Sequence, residues 1–290
     1  MRARTDLAME ARELWQRSAA EQTALSGVRA ATQRRHGFTV TTVEILDEAG
    51  ERALEKPRGR YVTLELQPLV RREKNAFARS VHALAAQLRP FLPPCERFLV
   101  VGLGNDAVTP DAVGPLALKS LIVTRHLKAS GVLASGGLRT VSAAQPGVLG
   151  TTGMESAEIV RGVAERTKPE QIIVIDALAT AEPPRVCAAV QIADSGIVPG
   201  SGVGNSRAAF NRATLGVPVL AVGVPTVVDA ASLPLRAEAD GAQHQALGGM
   251  IVTPRDIDAR VREIARVIGY ALDLTLHSGL TIDDVPCFFS

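Results

Sequence analysis

From Arg97 onward the chain alternates short, unbroken apolar runs with helical stretches, and no other feature narrows its possible folds as far. The runs are Phe98–Val101, Gln171–Ile175 and Val217–Val222. A strand that is apolar on both faces needs cover on both, which is the condition of a parallel sheet between helices. Helical spacing falls between the runs, at Ala117–Leu127 and Glu155–Arg166, and after them at Pro254–Leu276. Arg185–Ile192 reads as a further strand, less apolar and so nearer an edge. The expected class is α/β, with a mainly parallel sheet covered on both faces.

The first ninety residues have a different texture. Ala8–Leu25 carries apolar residues at helical spacing, and Gly27–Gly37 is polar and basic, so a helix and then a loop are expected. Phe38–Leu46 and Arg60–Leu66 are rich in β-branched residues and read as a hairpin. Asn75–Leu88 reads as a helix closed by Pro90, Pro93 and Pro94. This region is either a subdomain or additional structure on the same sheet, and one domain with elaboration is the reading taken.

Composition limits the function classes. The 290 residues are 46% hydrophobic, enough to bury one substantial core. A net charge of +2 favours neither nucleic acid nor an acidic surface as partner. Cys95, Cys187 and Cys287 are odd in number and far apart, which suits a reducing cytoplasm and no disulfide framework. The charged start MRARTDLAMEARELWQ has no signal-peptide core, and no run of about 18 apolar residues marks a membrane span.

In parallel α/β sheets, catalytic groups collect at the carboxyl ends of strands. Asp176 ends the apolar run in IIVIDALAT. Asp111 follows Gly104 by seven residues in VVGLGNDAVTPDAVGP, where the chain leaves a strand for a helix. Thr109 and Pro110 suit an N-cap and first turn, where the helix dipole favours an ionised Asp111. Pro115 means that this helix kinks there or starts at Gly114–Pro115. Burial at the end of an apolar strand favours a neutral Asp176. One ionised and one protonated carboxylate together activate a water and protonate a leaving amine. Taken singly, the two are a helix-start residue and a strand-end cap.

Other candidates are less pointed. GLGN places Ala107 where a dinucleotide fingerprint needs its third glycine, so Gly102 and Gly104 read as a tight turn. The irregular stretch ADSGIVPGSGVGNSR (193–207) is a substrate loop or a surface loop, with Asp194, Ser195, Gly202 and Asn205 as its candidate supporting residues. Ser195 has no histidine near it in sequence and no GxSxG around it, so a serine nucleophile lacks support. Asp229 follows a strand and a turn and is a third site carboxylate or a cap. The five histidines, His36, His82, His126, His244 and His277, show no zinc spacing, and Trp15 reads as a packing anchor.

The strings VVGLGNDAVTPDAVGPLALKSLIVTRHL (100–127), QPGVLGTTGMESAEIV (145–160), IIVIDALAT (172–180), QIADSGIVPGSGVGN (191–205) and VGVPTVVDA (222–230) resemble the bacterial spore germination proteases. The start MRARTDLAMEAREL and MIVTPRDID (250–258) extend the resemblance over most of the chain. It implies an endopeptidase that degrades small acid-soluble spore proteins during germination, inside the cytoplasm of the spore core. The implied fold is a three-layer α/β sandwich around a mostly parallel sheet, as in hydrogenase maturation proteases. Its two essential aspartates fall on Asp111 and Asp176, in an atypical aspartic protease with no cofactor and no metal. Neither a membrane nor direct nucleic acid is an implied partner, whereas a homo-oligomer is.

The resemblance also implies a zymogen that removes its own propeptide, with the cleaved bond Asp6–Leu7 in the string TDLA. One domain, 1–290, then divides into a propeptide 1–6, an N-terminal elaboration 7–95 and a catalytic α/β core 96–290. The propeptide is short for the family, and so is the segment ASLPLRAEADGAQHQALG that follows Ala230. Two rival readings remain. A metal-dependent maturation-type peptidase uses Asp111 and Asp176 as ligands with Asp229 or a histidine. A non-enzymatic protein uses the glycine loops to bind a nucleotide or a partner.

Overall fold

The computed structural model describes residues 5–18, 25–131, 137–204, 207–230, 233 and 250–289. The apolar runs form the middle of one mixed sheet. Its strands are β1 (Val28–Arg35), β2 (Phe38–Ile45), β3 (Gly59–Glu65), β4 (Arg97–Gly102), β5 (Thr140–Ala144), β6 (Gln171–Thr180), β7 (Ala189–Ala193), β8 (Val219–Asp229) and β9 (Ile251–Val252). Among the described residues their spatial order is β1-β2-β3-β7-β8-β6-β4-β5, with β9 on the end of β8. The β8-β6-β4-β5 block is parallel, as the apolar runs require, and the N-terminal strands join it through antiparallel pairing of β3 with β7 and β7 with β8.

The helices are α1 (Ala8–Ser18), α2 (Glu48–Leu54), α3 (Gln67–Val70), α4 (Ala76–Leu88), α5 (Val113–Leu118), α6 (Arg125–Ala129), α7 (Leu149–Thr152), α8 (Ser156–Thr167), α9 (Arg212–Leu215) and α10 (Ile257–Leu276). Helices α4, α5 and α10 cover one face, where Ile173, Ile175, Val190, Ile192, Val222 and Val224 are fully buried. On the other face α8 and α9 lie over Leu99, Val101, Ile172 and Val174, and α1 lies over Tyr61, Leu178, Ala193 and Ala221. Helices on both faces of a sheet make the expected three-layer sandwich. No helix among the described residues is long and apolar enough to cross a membrane.

Several local expectations are corrected. Residues 28–35 form a strand instead of a loop. A sheet edge tolerates polar residues, and its arginines discourage pairing with another chain. The tight turn at His36–Gly37 joins β1 to β2, while β2 and β3 pair as expected but are separated by α2. Arg185–Ile192 does not lie near an edge: a 3-10 turn occupies Pro183–Arg185, and β7 is buried between β3 and β8. The helix expected over Ala117–Leu127 breaks after Leu118. The Ile122 N–H goes to buried Asp273 and the Thr124 N–H to Val141 of β5, an edge strand too short to be read from its sequence. His126 lies within the short helix α6. The expected helix over Ala8–Leu25 is seen to Ser18, and residues 19–24 lie outside the described residues.

The N-terminal helix is held to the parallel block by a buried charge cluster. Glu10 is 1% exposed and accepts from Thr5 Oγ1, Thr180 Oγ1, Ala181 N–H and Arg185 Nη1. Arg185 also makes two 3.0 Å hydrogen bonds to Glu13. Its carboxylate partners raise the pKa of this guanidinium, against the desolvation that opposes its charge. A buried ion pair tolerates loss of one member badly, because the other is left uncompensated. Arg185→Leu is therefore expected to lower the unfolding free energy by about 3 kcal/mol, measured by urea denaturation. Hydrogen exchange should show the α1 amides losing protection first.

Candidate active site

Strand β6 outlasts its neighbour β4. Their pairing runs from Phe98 with Gln171 to Gly102 with Ile175, after which β4 turns away and β6 continues to Thr180 along β8. Asp176 thus lies inside a strand and not at its end, which corrects the expected boundary. Leu103 N–H takes the Ile175 carbonyl as the last bond on that side. Backbone groups of alternate residues face the same edge, so the edge left open next carries Ala177 and Ala179. The Ala177 N–H donates to Asp176 Oδ1 at 2.9 Å.

At Ala179 the edge is taken by the N-terminal segment. Asp6 N–H donates to the Ala179 carbonyl at 3.0 Å, and Ala179 N–H donates to Asp6 Oδ2 at 2.8 Å. Ser201 Oγ donates to Asp6 Oδ1 at 2.7 Å. Gly202 packs so closely on this carboxylate that a methyl group there would overlap it. Beyond Asp6 the chain crosses the sheet face, and Leu7 is fully buried in the apolar cluster that also contains Tyr61, Leu178, Ala193 and Ala221.

The opposite wall comes from the turn after β4. Gly104 has φ +109°, and a side chain there would overlap the Asp111 carbonyl, so the turn needs glycine for shape. Thr109–Asp111 is a 3-10 turn and α5 starts at Val113, past the aspartate. Thr109 makes no cap. Its hydroxyl donates to Asp258 Oδ1 at 2.7 Å and ties the turn to α10. Asp111 Oδ2 accepts the Asn105 N–H at 2.8 Å.

Asp6, Asp111 and Asp176 line one cleft of about 460 Å³, with Gly104, Asn105, Leu178 and Arg207 among its other walls. A second cavity, about 310 Å³, adjoins it through Asp6 and Leu178 and is lined by Tyr61, Gln191 and Ser195. The N-terminal segment therefore lies along a groove with open space on both sides.

Asp176 is 4% exposed, and burial pushes its pKa well above the ordinary carboxylate range. The charges of Asp111 and Asp6 add to that rise, and the Ala177 N–H opposes it. Burial raises Asp111 as well, while the Asn105 N–H holds its charged form. Asp111 precedes α5 and does not lie in its first turn, contrary to expectation. Burial acts more strongly on Asp176, which is raised well above the ordinary range.

The remaining candidates separate. Asp194 Oδ1 accepts the Arg60 N–H at 2.7 Å and joins β7 to β3 away from the cleft. Ser195 Oγ donates to Tyr61 Oη at 2.8 Å and lines the second cavity. Asp229 ends β8 opposite Ile251 and directly precedes a 3-10 residue, Ala230, whose carbonyl accepts the Leu233 N–H. Asn205 and His244 lie outside the described residues, as do nearly all of the segment after Ala230. Among the described residues no group of three His, Cys, Asp or Glu side chains could hold a metal ion. Trp15 packs on the α1 cluster as an anchor. Sequence reasoning missed Ser201, Glu10, Arg185 and Gln191, whose partners come from distant segments. A glutamine inside the buried run AVQIA was the one available signal.

The chain is similar to known proteins over nearly its whole length. A family model described as germination protease matches residues 8–237. A germination protease of Caldanaerobacter subterraneus subsp. tengcongensis is 40% identical over 313 residues, covering 96% of this chain and 95% of that protein. One of Clostridium perfringens is 36% identical, with 99% of each chain covered. One of Bacillus cytotoxicus is 44% identical over 237 residues, covering 79% of this chain and 64% of the relative.

The burial of Asp176 has a consequence for stability. A carboxyl whose pKa rises on folding contributes fully below its unfolded pKa, about 3.9. That contribution is lost as pH rises from there through the folded value. Asp176→Asn keeps the acceptor for Ala177 and cannot ionise. At pH 7 it is expected to melt roughly 3 °C or more above the parent, about 1 kcal/mol for a chain of this size. The difference should vanish near pH 4, in thermal melts followed by circular dichroism.

Proposed function

The chain belongs to the germination protease family, and from that premise we propose that it is a spore germination endopeptidase in which Asp111 and Asp176 activate water. The substrates in this reading are small acid-soluble spore proteins. The ionised Asp111 takes a proton from the attacking water, and the protonated Asp176 polarises the carbonyl or protonates the departing amine. The observation that carries this reading is the occupant of the cleft. The chain's own Asp6 pairs with the free edge of β6 beside both carboxylates, as an added strand pairs with an exposed edge.

The same observation supports self-processing at Asp6–Leu7. In this reading the N-terminal segment is the first substrate, and it blocks the groove until the bond is cut. The buried Leu7 and the Glu10–Arg185 cluster keep the new terminus docked afterwards. The exposed apolar residues Met250, Ile251 and Val252 favour assembly into a homo-oligomer, which light scattering measures.

Incubation with a small acid-soluble spore protein should give discrete fragments by mass spectrometry, and the processed chain should begin at Leu7. Asp111→Asn and Asp176→Asn should each slow cleavage by about 10³-fold or more while the far-ultraviolet spectrum is unchanged. Retained activity in Asp176→Asn would refute the pair. Loss of activity on exhaustive chelation, restored by a divalent metal, would favour the metal-dependent rival.

A further inference from the structure

Gln191 is a buried polar residue on a central strand, flanked in sequence by Val190 and Ile192 and 7% exposed. A buried amide is costly unless its donor and acceptor are both used. Here both are used on the N-terminal segment, on either side of Leu7. Gln191 Nε2 donates to the Asp6 carbonyl at 3.1 Å, and Gln191 Oε1 accepts the Ala8 N–H at 2.7 Å. Asp176 and Gln191 are both in register with Gly223 of β8, from its two sides. In-register neighbours project to the same face of a sheet, so the two side chains flank a position that has none.

We propose that Gln191 is a catalytic residue whose side-chain amide grips the scissile carbonyl and sets the register of the cleaved bond. The proposal rests on the reading of Asp6–Leu7 as a bond this groove cuts. Water adds to the Asp6 carbonyl carbon and yields a proton to Asp111, and the carbonyl π electrons move to oxygen. Gln191 Nε2–H stabilises that oxyanion. When the carbonyl re-forms, the C–N bond breaks and the Leu7 nitrogen takes the Asp176 proton. Exchange with solvent then returns the two carboxyls to their starting states. With Gln191 polarising the carbonyl, Asp176 is left for the amine.

A purely structural role is the competing account, because Ala8 is the first residue of α1 and Gln191 Oε1 caps it. Two variants separate the accounts. Gln191→Met removes both bonds, whereas Gln191→Glu keeps the acceptor for Ala8 and loses the donor until it is protonated. The assay is cleavage of a synthetic peptide of residues 3–12 by chains that begin at Leu7, the processed form, so that residues 1–6 block none of them, with Asp176→Asn in parallel.

Gln191→Met is expected to lower kcat about 10²- to 10³-fold with KM changed less than threefold. Gln191→Glu should match that loss at pH 8 and regain at least tenfold of it as pH falls to 5, relative to the parent's own profile. A kcat within threefold of the parent in either folded variant at pH 8, or a loss carried by KM alone, overturns the proposal. So does a Gln191→Glu profile parallel to the parent's. Should Gln191→Met not fold, the Gln191→Glu profile decides alone. Cleavage retained by Asp176→Asn overturns the underlying reading. An inactive Asp176→Asn beside an active Gln191→Met overturns only the role of Gln191.

Discussion

The site depends on the pairing of β6 with β8. That ladder runs from Ile172 with Val219 to Thr180 with Val228, crossing an irregularity at Leu178/Ala179. Because β8 supports β6 to its end, β6 stays extended for five residues after β4 has left. A strand that loses one neighbour and keeps the other has a free edge, and free edges bind peptides. The same ladder buries Asp176. A carboxyl sealed inside a strand, with one backbone donor, keeps its proton at pH values where an exposed one would not.

The glycines serve this arrangement by shape. At Gly104 the chain folds back so tightly that only the absence of a side chain admits the Asp111 carbonyl. At Gly202 the same economy admits the Asp6 carboxylate. Gly223 leaves open the place between Asp176 and Gln191 over which Leu178 lies. The glycines thus define a groove wide enough for a polypeptide, and carboxylates stand at its centre.

Much of this was legible in the sequence, for reasons that differ by element. The runs at 98–101, 171–175 and 217–222 could be read because a doubly buried strand has a hydrophobicity that no surface strand shares. Asp111 and Asp176 could be read because each interrupts or follows such a run. Strand β1 was not legible, since an edge strand faces water and looks like a loop. β7 was misplaced because its alanines and glutamine make it less apolar than the valine-rich runs, although Gln191 and Ala193 are buried against the N-terminal segment. The break after Leu118 depends on Asp273, some 150 residues away, accepting the Ile122 N–H, and no local pattern encodes that.

By itself the sequence determined the fold class and the family and singled out Asp111 and Asp176 as candidates, because apolar periodicity and long specific strings are local properties of the chain. Tertiary structure alone decided what those aspartates face. That Asp6 lies on Ala179, that Ser201 and Gly202 enclose its carboxylate, and that Gln191 bridges Asp6 and Ala8 across Leu7 are contacts between segments far apart in the chain. They exist because the sheet brings β6, β8 and β7 side by side, and a hydrogen bond needs proximity that sequence order does not supply.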